Sequence, residues 1–295
     1  MTEPDPHVDE VREFWLGLNL PGLVDIHVHF MPDSVMRAVW RYFDDARDRF
    51  GYDWPVTYRV SEDERVALLD AFGVRAFPSL LYPHKPEMAE WLNEWAREFA
   101  ARTPACVPTG TFFPEASAAR YVREAIESGT RIFKAHVQVG GYHPLDELLT
   151  PVWGLLAEAG VPVVVHCGSG PESGRHTGPE PFAAVLAQHP RLTAVIAHCG
   201  SPEYLEHIEL AERYPNVHLD TTMVATPYLE RLAPLPESAI ARLGQLGDKV
   251  VLGTDFPNIP HSYATQLVSL AALGHGDDWL RAVCWVTGAR LVGIS

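Results

Sequence analysis

Short apolar runs and longer amphipathic stretches alternate along this chain. The short runs predict eight strands, at residues 22–30, 75–82, 105–113, 130–137, 161–167, 192–198, 217–220 and 249–255. The stretches between them have apolar residues at helical spacing. Regular alternation of strands and helices is typical of parallel strands joined by right-handed crossovers.

The amphipathic stretches predict helices at residues 8–16, 32–50, 61–74, 86–102, 115–128, 145–159, 179–188, 202–213, 237–246, 262–273 and 277–286. In the third of these, Ser61 and Glu64 form a capping box and Gly73 ends the helix. In the fourth, Trp91, Trp95 and Phe99 lie four residues apart, so we expect them to pack into the core.

Eight strand–helix units in one chain predict an α/β fold, a (β/α)8 TIM barrel, and a doubly wound sheet is the alternative. We expect residues 1–20 to be a loose N-terminal arm and residues 21–295 to be a single barrel domain. The insertion after the first strand, residues 30–61, could form a lid.

Composition narrows the classes of partner. The chain has 295 residues, 38 acidic and 23 basic, for a net charge of −15. This charge argues against nucleic acid and anionic membranes as partners, and no apolar run reaches the roughly 18 residues of a membrane span. Four cysteines without a CxxC pair predict free thiols. Together with the polar N-terminus, these thiols favour a cytoplasmic protein. We expect a small-molecule substrate, and the oligomeric state, monomer or homodimer, stays open.

The first predicted strand contains three polar residues in alternation. A period of two places Asp25, His27 and His29 on one face. A strand buried in a barrel has polar inward side chains only when they have partners. Two imidazoles about 7 Å apart on one strand can bind one metal ion from one side.

Three further strands end in a residue of the same kind. VPVVVHCG ends at His166, LTAVIAHCG at His198, and KVVLGTDFP reaches Asp255. The carboxyl ends of barrel strands meet at one mouth, where catalytic residues lie. Histidine and aspartate together are typical ligands of zinc or a similar divalent ion. The pattern therefore predicts a metal centre at the mouth.

The segments DIHVH, VVVHCG, AHCG and GTDFP, in this order, resemble the amidohydrolase superfamily. Within it, the chain is similar to the amidohydrolase-2 branch, which is like aminocarboxymuconate-semialdehyde decarboxylase. The resemblance extends over roughly residues 22–294 and includes the terminal VTGARLVGI. In that segment Gly288 stands where the branch usually has asparagine.

The resemblance implies a metal site and a catalytic histidine. His27, His29, His166 and Asp255 would bind one divalent ion, expected to be zinc, with manganese or iron(II) as alternatives. His198 would act on water or substrate. Asp255 would also orient a water molecule and take its proton.

The fourth strand leaves two interpretations open. Lys134 and His136 share one face, and binuclear amidohydrolases bridge two metals through a carboxylated lysine on this strand. Lys134 lies one layer below His136, about 6–7 Å lower. We therefore favour a site with one metal. We expect His136 to lie beside the substrate, or to contact the ligands without binding the metal itself. We expect Lys134 to be buried, with its charge neutralised by Asp25 or Asp255.

Arg175 and two cysteines lie close to the predicted site in the sequence. Arg175, in the loop SGPESGRHTG, is either a substrate-carboxylate ligand or a solvated loop residue. Cys167 and Cys199 directly follow the strand-end histidines, so we expect both thiols to face the outer helices.

These observations favour a metal-dependent hydrolase of a small amide, ester or lactone, expected to bear a carboxylate. The alternative is a non-oxidative decarboxylase of an aromatic or muconate-like acid, which would use the same ligands. A metal-binding barrel without catalytic activity is the third and least favoured interpretation.

Overall fold

The computed structural model describes residues 5–294 of the chain. Its strand segments are β1 (Leu23–Val24), β2 (Val74–Pro78), β3 (Cys106–Val107), β4 (Thr109–Thr111), β5 (Ile132–His136), β6 (Val163–His166), β7 (Ala194–Ile196), β8 (Val217–Asp220) and β9 (Val250–Val251). All paired strands are parallel. Segments β3 and β4 are the two halves of one predicted strand, divided at Pro108, which has no N–H to donate.

The helices are α1 (Val8–Gly17), α2 (Asp33–Asp44), α3 (Ala46–Phe50), α4 (Glu62–Phe72), α5 (Ala89–Arg102), α6 (Ala118–Glu127), α7 (Val137–Gly140), α8 (Thr150–Ala159), α9 (Pro179–Gln188), α10 (Tyr204–Arg213), α11 (Glu237–Gln245), α12 (Tyr263–Ala272), α13 (Asp277–Arg281) and α14 (Thr287–Val292). A π-helical segment, Ala282–Val286, joins the last two. Within residues 5–294, none of the helices has the length and apolar character needed to span a membrane.

The strands form a ring in chain order. Pairing runs from β1 to β3 and from β4 to β9. The segment after β1 meets the segment after β9: Ile26 N donates to Leu252 O at 2.9 Å, and Asp255 N donates to His27 O at 2.8 Å. The predicted (β/α)8 barrel is therefore confirmed, and the doubly wound sheet is set aside.

Helix α14 closes the end of the barrel opposite the histidines. A Cβ atom on Gly288 would lie 2.8 Å from Val24 Cγ1 and 3.3 Å from Val251 Cγ2, so glycine permits the close approach of α14 to β1 and β9. Arg131, the residue directly before β5, donates to Val292 O in this helix. Gly288 thus has a packing role at this end of the barrel.

The expectation of a loose N-terminal arm is wrong for residues 8–20. Helix α1 buries Val11 and Trp15, and Leu18 and Leu20 are buried behind it. Trp15 Nε1 donates to Phe72 O, at the end of α4, at 2.9 Å. Apolar residues at helical spacing fasten this segment to the barrel. Residues 1–4 of the predicted arm lie outside the described residues.

Two sequence predictions for helices had different outcomes. The capping box of Ser61 and Glu64 at the start of α4 is confirmed. The prediction for α5 was wrong for Trp91, which is 45% exposed, whereas Phe99 is buried. Helix α5 buries Leu92, Ala96 and Phe99, so Trp91 lies on the exposed side of the helix.

The four cysteines are buried and unpaired. Cys167 Sγ lies 3.7 Å from His207 Nε2 of α10, so this thiol faces the outer helices as predicted. The Cys199 thiol donates to Asp220 O of β8 at 3.1 Å, and Cys199 packs in the same core cluster as Cys167 and Tyr204 of α10. Strand β7 ends at Ile196, so Cys199 lies in a 3₁₀ turn with a φ of 49°.

Candidate active site

Three predicted ligands come together at the mouth. A ring nitrogen of His27, a ring nitrogen of His29 and an oxygen of Asp255 all lie within 4.8 Å of one another, and the three residues are buried. Asp255 Oδ1 is 2.8 Å from His29 Nε2 and 3.8 Å from His27 Nε2. Asp255 reaches this position with a left-handed φ of 72°, a conformation that is often concentrated at functional sites.

Hydrogen bonds from the Nδ1 atoms fix the orientation of the two histidine rings. His27 Nδ1 donates to Asp220 Oδ2 at 2.8 Å, and His29 Nδ1 donates to Leu80 O. Both rings therefore turn Nε2 toward Asp255. Such outer hydrogen bonds fix the tautomer and orientation of metal-binding histidines.

The donor set fits a divalent ion. Both ring nitrogens of His29 face an oxygen atom, Leu80 O on one side and Asp255 Oδ1 on the other. A metal at Nε2 would satisfy this arrangement without a doubly protonated ring. Two imidazoles and one carboxylate are a common ligand set for divalent transition metals.

Asp220 is a site residue that was not among those predicted from the sequence. It ends β8 and is completely buried. Besides holding His27, it accepts the backbone N–H groups of His198 at 2.7 Å and Thr222 at 3.1 Å. Burial acts against its ionisation, but the contact with His27 and the nearby charge of Lys134 outweigh this and lower the pKa of Asp220. A signal was present: VHLD, like the other strand ends, is an apolar run that ends in a polar residue.

Gly253 allows these groups to come close together. A Cβ atom on Gly253 would lie 2.8 Å from His27 Cβ and 3.2 Å from Asp220 Cγ. The glycine of the GTDFP segment is therefore required by packing directly beneath the candidate ligands.

Asp25 does not join the two histidines, contrary to the prediction of a shared face. Regular pairing of β1 ends at Val24 with a register shift, so strict alternation does not continue. The Asp25 carboxylate accepts from Thr254 Oγ1 at 2.6 Å, Tyr263 OH at 3.0 Å and His27 N at 3.1 Å. Burial raises the pKa of Asp25 to about 7.

Three more histidines form a row beside the three-residue cluster. The ring centroid of His198 is 5.1 Å from that of His27 and 4.7 Å from that of His166. His166 in turn stacks on His136 at 4.1 Å. His166 Nε2 donates to Gly170 O at 2.8 Å, and His166 does not belong to the close cluster. Its role as a fourth ligand stays a prediction.

The backbone of His198 departs from the predicted strand. Strand β7 ends two residues earlier, and His198 adopts a φ of 56° in the turn Ala197–Gly200. The hydrogen bond from His198 N to Asp220 holds this turn. Asp220 therefore positions His27 through its ring and His198 through its backbone.

Burial lowers the pKa of all the histidines in the row. For His136 and His166 the shift is large, and the positive charges of neighbouring groups add to it. His198 shifts in the same direction. Burial and then the charge of Lys134 lower the pKa of His27 to about 3. These imidazoles are neutral near pH 7, the form that binds metal and accepts protons.

Lys134 lies two residues below His136 on β5, as predicted, but its partner differs from the predicted one. Its Nζ lies 3.3 Å from His27 Nε2 and donates to it. Neither Asp25 nor Asp255 forms an ion pair with it within the described residues. Burial lowers the pKa of Lys134 to about 8, although the charges of Asp220 and Asp255 act in the opposite direction.

A cavity of about 880 Å³ opens above these groups. Its floor contains His27, His29, Lys134 and Asp255, and His136, His166 and His198 lie on one side. Its walls are mainly apolar and aromatic: Val35, Ala38, Val39, Tyr42, Phe43, Trp54, Tyr82, Met88 and Trp91. A second cavity of about 510 Å³ shares His166 and His198 with the first.

The insertion after β1 covers part of the main cavity. Helix α2 contributes several of the apolar wall residues, among them Val39 and Tyr42. The Tyr42 hydroxyl donates to Glu172 Oε2 at 3.2 Å, which links the insertion to the loop after β6.

Arg175 lies on that same loop but does not line either cavity. Its side chain is exposed, whereas Glu172, Ser173 and Gly174 line the main cavity. The structure thus brings His136 to the cavity and leaves Arg175 outside it.

The sequence matches a known family over most of its length. The family model for amidohydrolases, Amidohydro_2, matches residues 24–294. This chain belongs to the amidohydrolase family. The match includes every candidate ligand and both catalytic candidates. A comparison with curated proteins finds no match.

Solved structures share the fold. An uncharacterised TIM-barrel protein from Bordetella bronchiseptica has a TM-score of 0.73 and 22% identity, with 92% of this chain and 98% of that chain covered. The 5-carboxyvanillate decarboxylase LigW from Sphingomonas paucimobilis has a TM-score of 0.64 and 17% identity, with 93% and 100% covered. The related LigW2 from Novosphingobium aromaticivorans, at 0.63 and 16%, with 93% and 98% covered, contains bound manganese.

Proposed function

We propose that this protein is a metal-dependent hydrolase that cleaves a small amide, ester or lactone. The observation that supports this best is the position of Asp255. Its carboxylate lies 2.8 Å from His29 Nε2 and 3.8 Å from His27 Nε2, and the ring centroid of His198 is 5.1 Å from that of His27. A base beside a metal site, with a second proton-handling group nearby, suits hydrolysis.

The proposed ligands are His27, His29, His166 and Asp255. His166 uses Nε2 to donate to Gly170 O, so Nδ1 is the nitrogen left for a metal. We propose zinc as the ion because two or three imidazoles and one carboxylate suit it, with manganese or iron(II) as alternatives. A bound divalent ion would supply Lewis acidity toward a carbonyl oxygen and toward water.

The protein's own groups would bind, orient and move protons. Asp255 orients a water molecule and accepts its proton. His198, neutral because it is buried, relays a proton on the opposite side of the substrate. His136 borders the substrate. The mainly apolar walls lower the local dielectric constant, which strengthens each of these polar contacts.

Decarboxylation of an aromatic acid is the second candidate. The observation that favours it is the aromatic lining of the cavity, with Tyr42, Phe43, Trp54, Tyr82 and Trp91 around the floor. An apolar wall binds an aromatic ring and removes water from its carboxylate.

Isotope labelling separates the two reactions. A panel of lactones, esters, amides and aromatic acids is incubated with zinc-loaded and manganese-loaded protein in H₂¹⁸O and in D₂O. Hydrolysis places ¹⁸O in the product acid and releases no CO₂. Decarboxylation releases CO₂ and places solvent deuterium on carbon. CO₂ release in step with product would overturn the hydrolase proposal.

The Asp255→Asn variant is the negative control for this panel, because it retains the shape of the side chain and loses the base. Removal of the metal with a chelator followed by restoration with zinc or manganese shows whether turnover depends on the ion. Turnover that persists at full metal depletion would contradict both candidate functions.

A further inference from the structure

Lysine and arginine are rare around the main cavity. Among its lining residues in the described part of the chain, the two such side chains are Lys134 and Lys85. Lys85 is exposed at the rim, whereas Lys134 is buried at the floor. Arg175 lies outside. A negatively charged group that reaches the floor therefore meets Lys134.

The hydrogen-bond partner of Lys134 is the nitrogen that a metal would use. Lys134 Nζ donates to His27 Nε2 at 3.3 Å. His27 Nδ1 is held by Asp220, so Nε2 is the nitrogen that His27 can offer to an ion. When His27 binds a metal, Lys134 loses this acceptor.

The buried carboxylates nearby do not take the place of His27 as the acceptor for Lys134. Asp25 accepts from two hydroxyl groups, and Asp220 accepts from His27 and two backbone N–H groups. Asp255, which lies beside both histidines, would bind the ion itself. Across residues 5–294, none of the three forms an ion pair with Lys134. A buried ammonium group without an acceptor is unfavourable. An acceptor from outside the protein would remove this cost.

We propose that Lys134 changes its partner from His27 to a carboxylate of the substrate when the metal site is filled. The substrate would then be an apolar or aromatic carboxylic acid derivative, with its carboxylate at the floor and its ring among the aromatic walls. This inference rests on the proposed function, since it takes the metal-binding cavity as the substrate site. It assigns to Lys134 the contact that the sequence had suggested for Arg175.

Binding of benzoate and of uncharged benzamide tests the proposal without turnover. Both are titrated calorimetrically into zinc-loaded protein, with metal content measured by elemental analysis. We expect the wild type to bind benzoate more tightly than benzamide. Lys134→Met should weaken benzoate by at least about tenfold, the usual size of a lost charge-assisted hydrogen bond. Benzamide binding and metal content should not change.

Lys85→Met is the matched control, because it removes the other lysine of the cavity and should leave both affinities unchanged. Lys134→Gln repeats the test if the methionine variant does not fold. Wild-type affinity of either folded variant for benzoate would overturn the proposal, as would a wild type without preference for benzoate. Two metals per chain with a carboxylated Lys134 would also overturn it. Since no catalysis is measured, failure to detect hydrolysis leaves this result intact.

Discussion

Replacement of Asp220 by asparagine should weaken metal binding, although Asp220 is not a proposed ligand. Its Oδ1 accepts the N–H groups of His198 and Thr222, and its Oδ2 accepts the Nδ1 proton of His27. An amide has one oxygen, which would serve the two backbone donors. Its NH₂ group would then face His27 Nδ1. His27 would have to carry its proton on Nε2, the nitrogen turned toward Asp255.

The size of the effect follows from burial. Outer groups that orient a metal-binding histidine typically contribute about 10- to 100-fold to metal affinity, and we expect a loss in this range. Asp220 is fully buried, so water does not replace the lost hydrogen bond. We also expect the free energy of unfolding of the metal-free protein to fall by about 1.5–3 kcal/mol.

Competition with a chromophoric chelator measures the metal dissociation constant of each variant. Asp25→Asn is the matched control, since Asp25 is an equally buried carboxylate near the same site. Its partners are two hydroxyl groups and a backbone N–H, and the hydroxyls can rotate to accept from an amide. An Asp220→Asn affinity within about twofold of wild type would refute the tautomer argument, as would an equal loss in Asp25→Asn.

Three further predictions concern single side chains. His198→Ala should retain the metal and lose about 10²–10⁴-fold in turnover, because it removes a proton-transfer group; loss of metal together with activity would instead make His198 a ligand. Asp255→Asn saturated with zinc should regain occupancy without regaining rate, and near-normal turnover per occupied site would remove Asp255 from proton transfer. Asp25→Asn should gain stability relative to wild type as the pH rises from about 4 to 7. Over this window the unfolded chain releases a proton that folded Asp25, with its pKa raised from 3.8 to about 7, still holds, so wild type loses on the order of a few kcal/mol that the variant keeps. Urea unfolding across this pH range measures the difference, and parallel pH profiles would contradict it.

The barrel and most of the mouth could be predicted because their signals are local. Each strand is an apolar run, and the run ends at the residue that faces the mouth, as at His166 and Asp255. The crossover rule for parallel strands then brings all the carboxyl ends together. His27 and His29 were predictable for the same reason, since both lie on one strand.

The tertiary structure decided which of these groups touch. His27 and Asp220 are 193 residues apart in the chain, yet their hydrogen bond determines which nitrogen His27 presents. Because regular pairing of β1 ends at Val24, the Asp25 carboxylate accepts a hydrogen bond from Tyr263 and does not lie beside the two histidine rings. Neither effect has a periodic signal, because both depend on side-chain contacts between distant segments.

The conformation of loops explains the remaining differences between the predicted and the observed site residues. Arg175 and Glu172 are neighbours in a polar loop, and composition does not indicate that Glu172 faces the cavity while Arg175 faces solvent. The same holds for Lys134, whose partner His27 lies 107 residues away in the chain, after a strand that does not pair with β5. Hydrophobic periodicity specifies the face of an element on which a residue lies. The contact that a buried polar side chain makes depends on the packing of several elements at once, and only the folded structure specifies it.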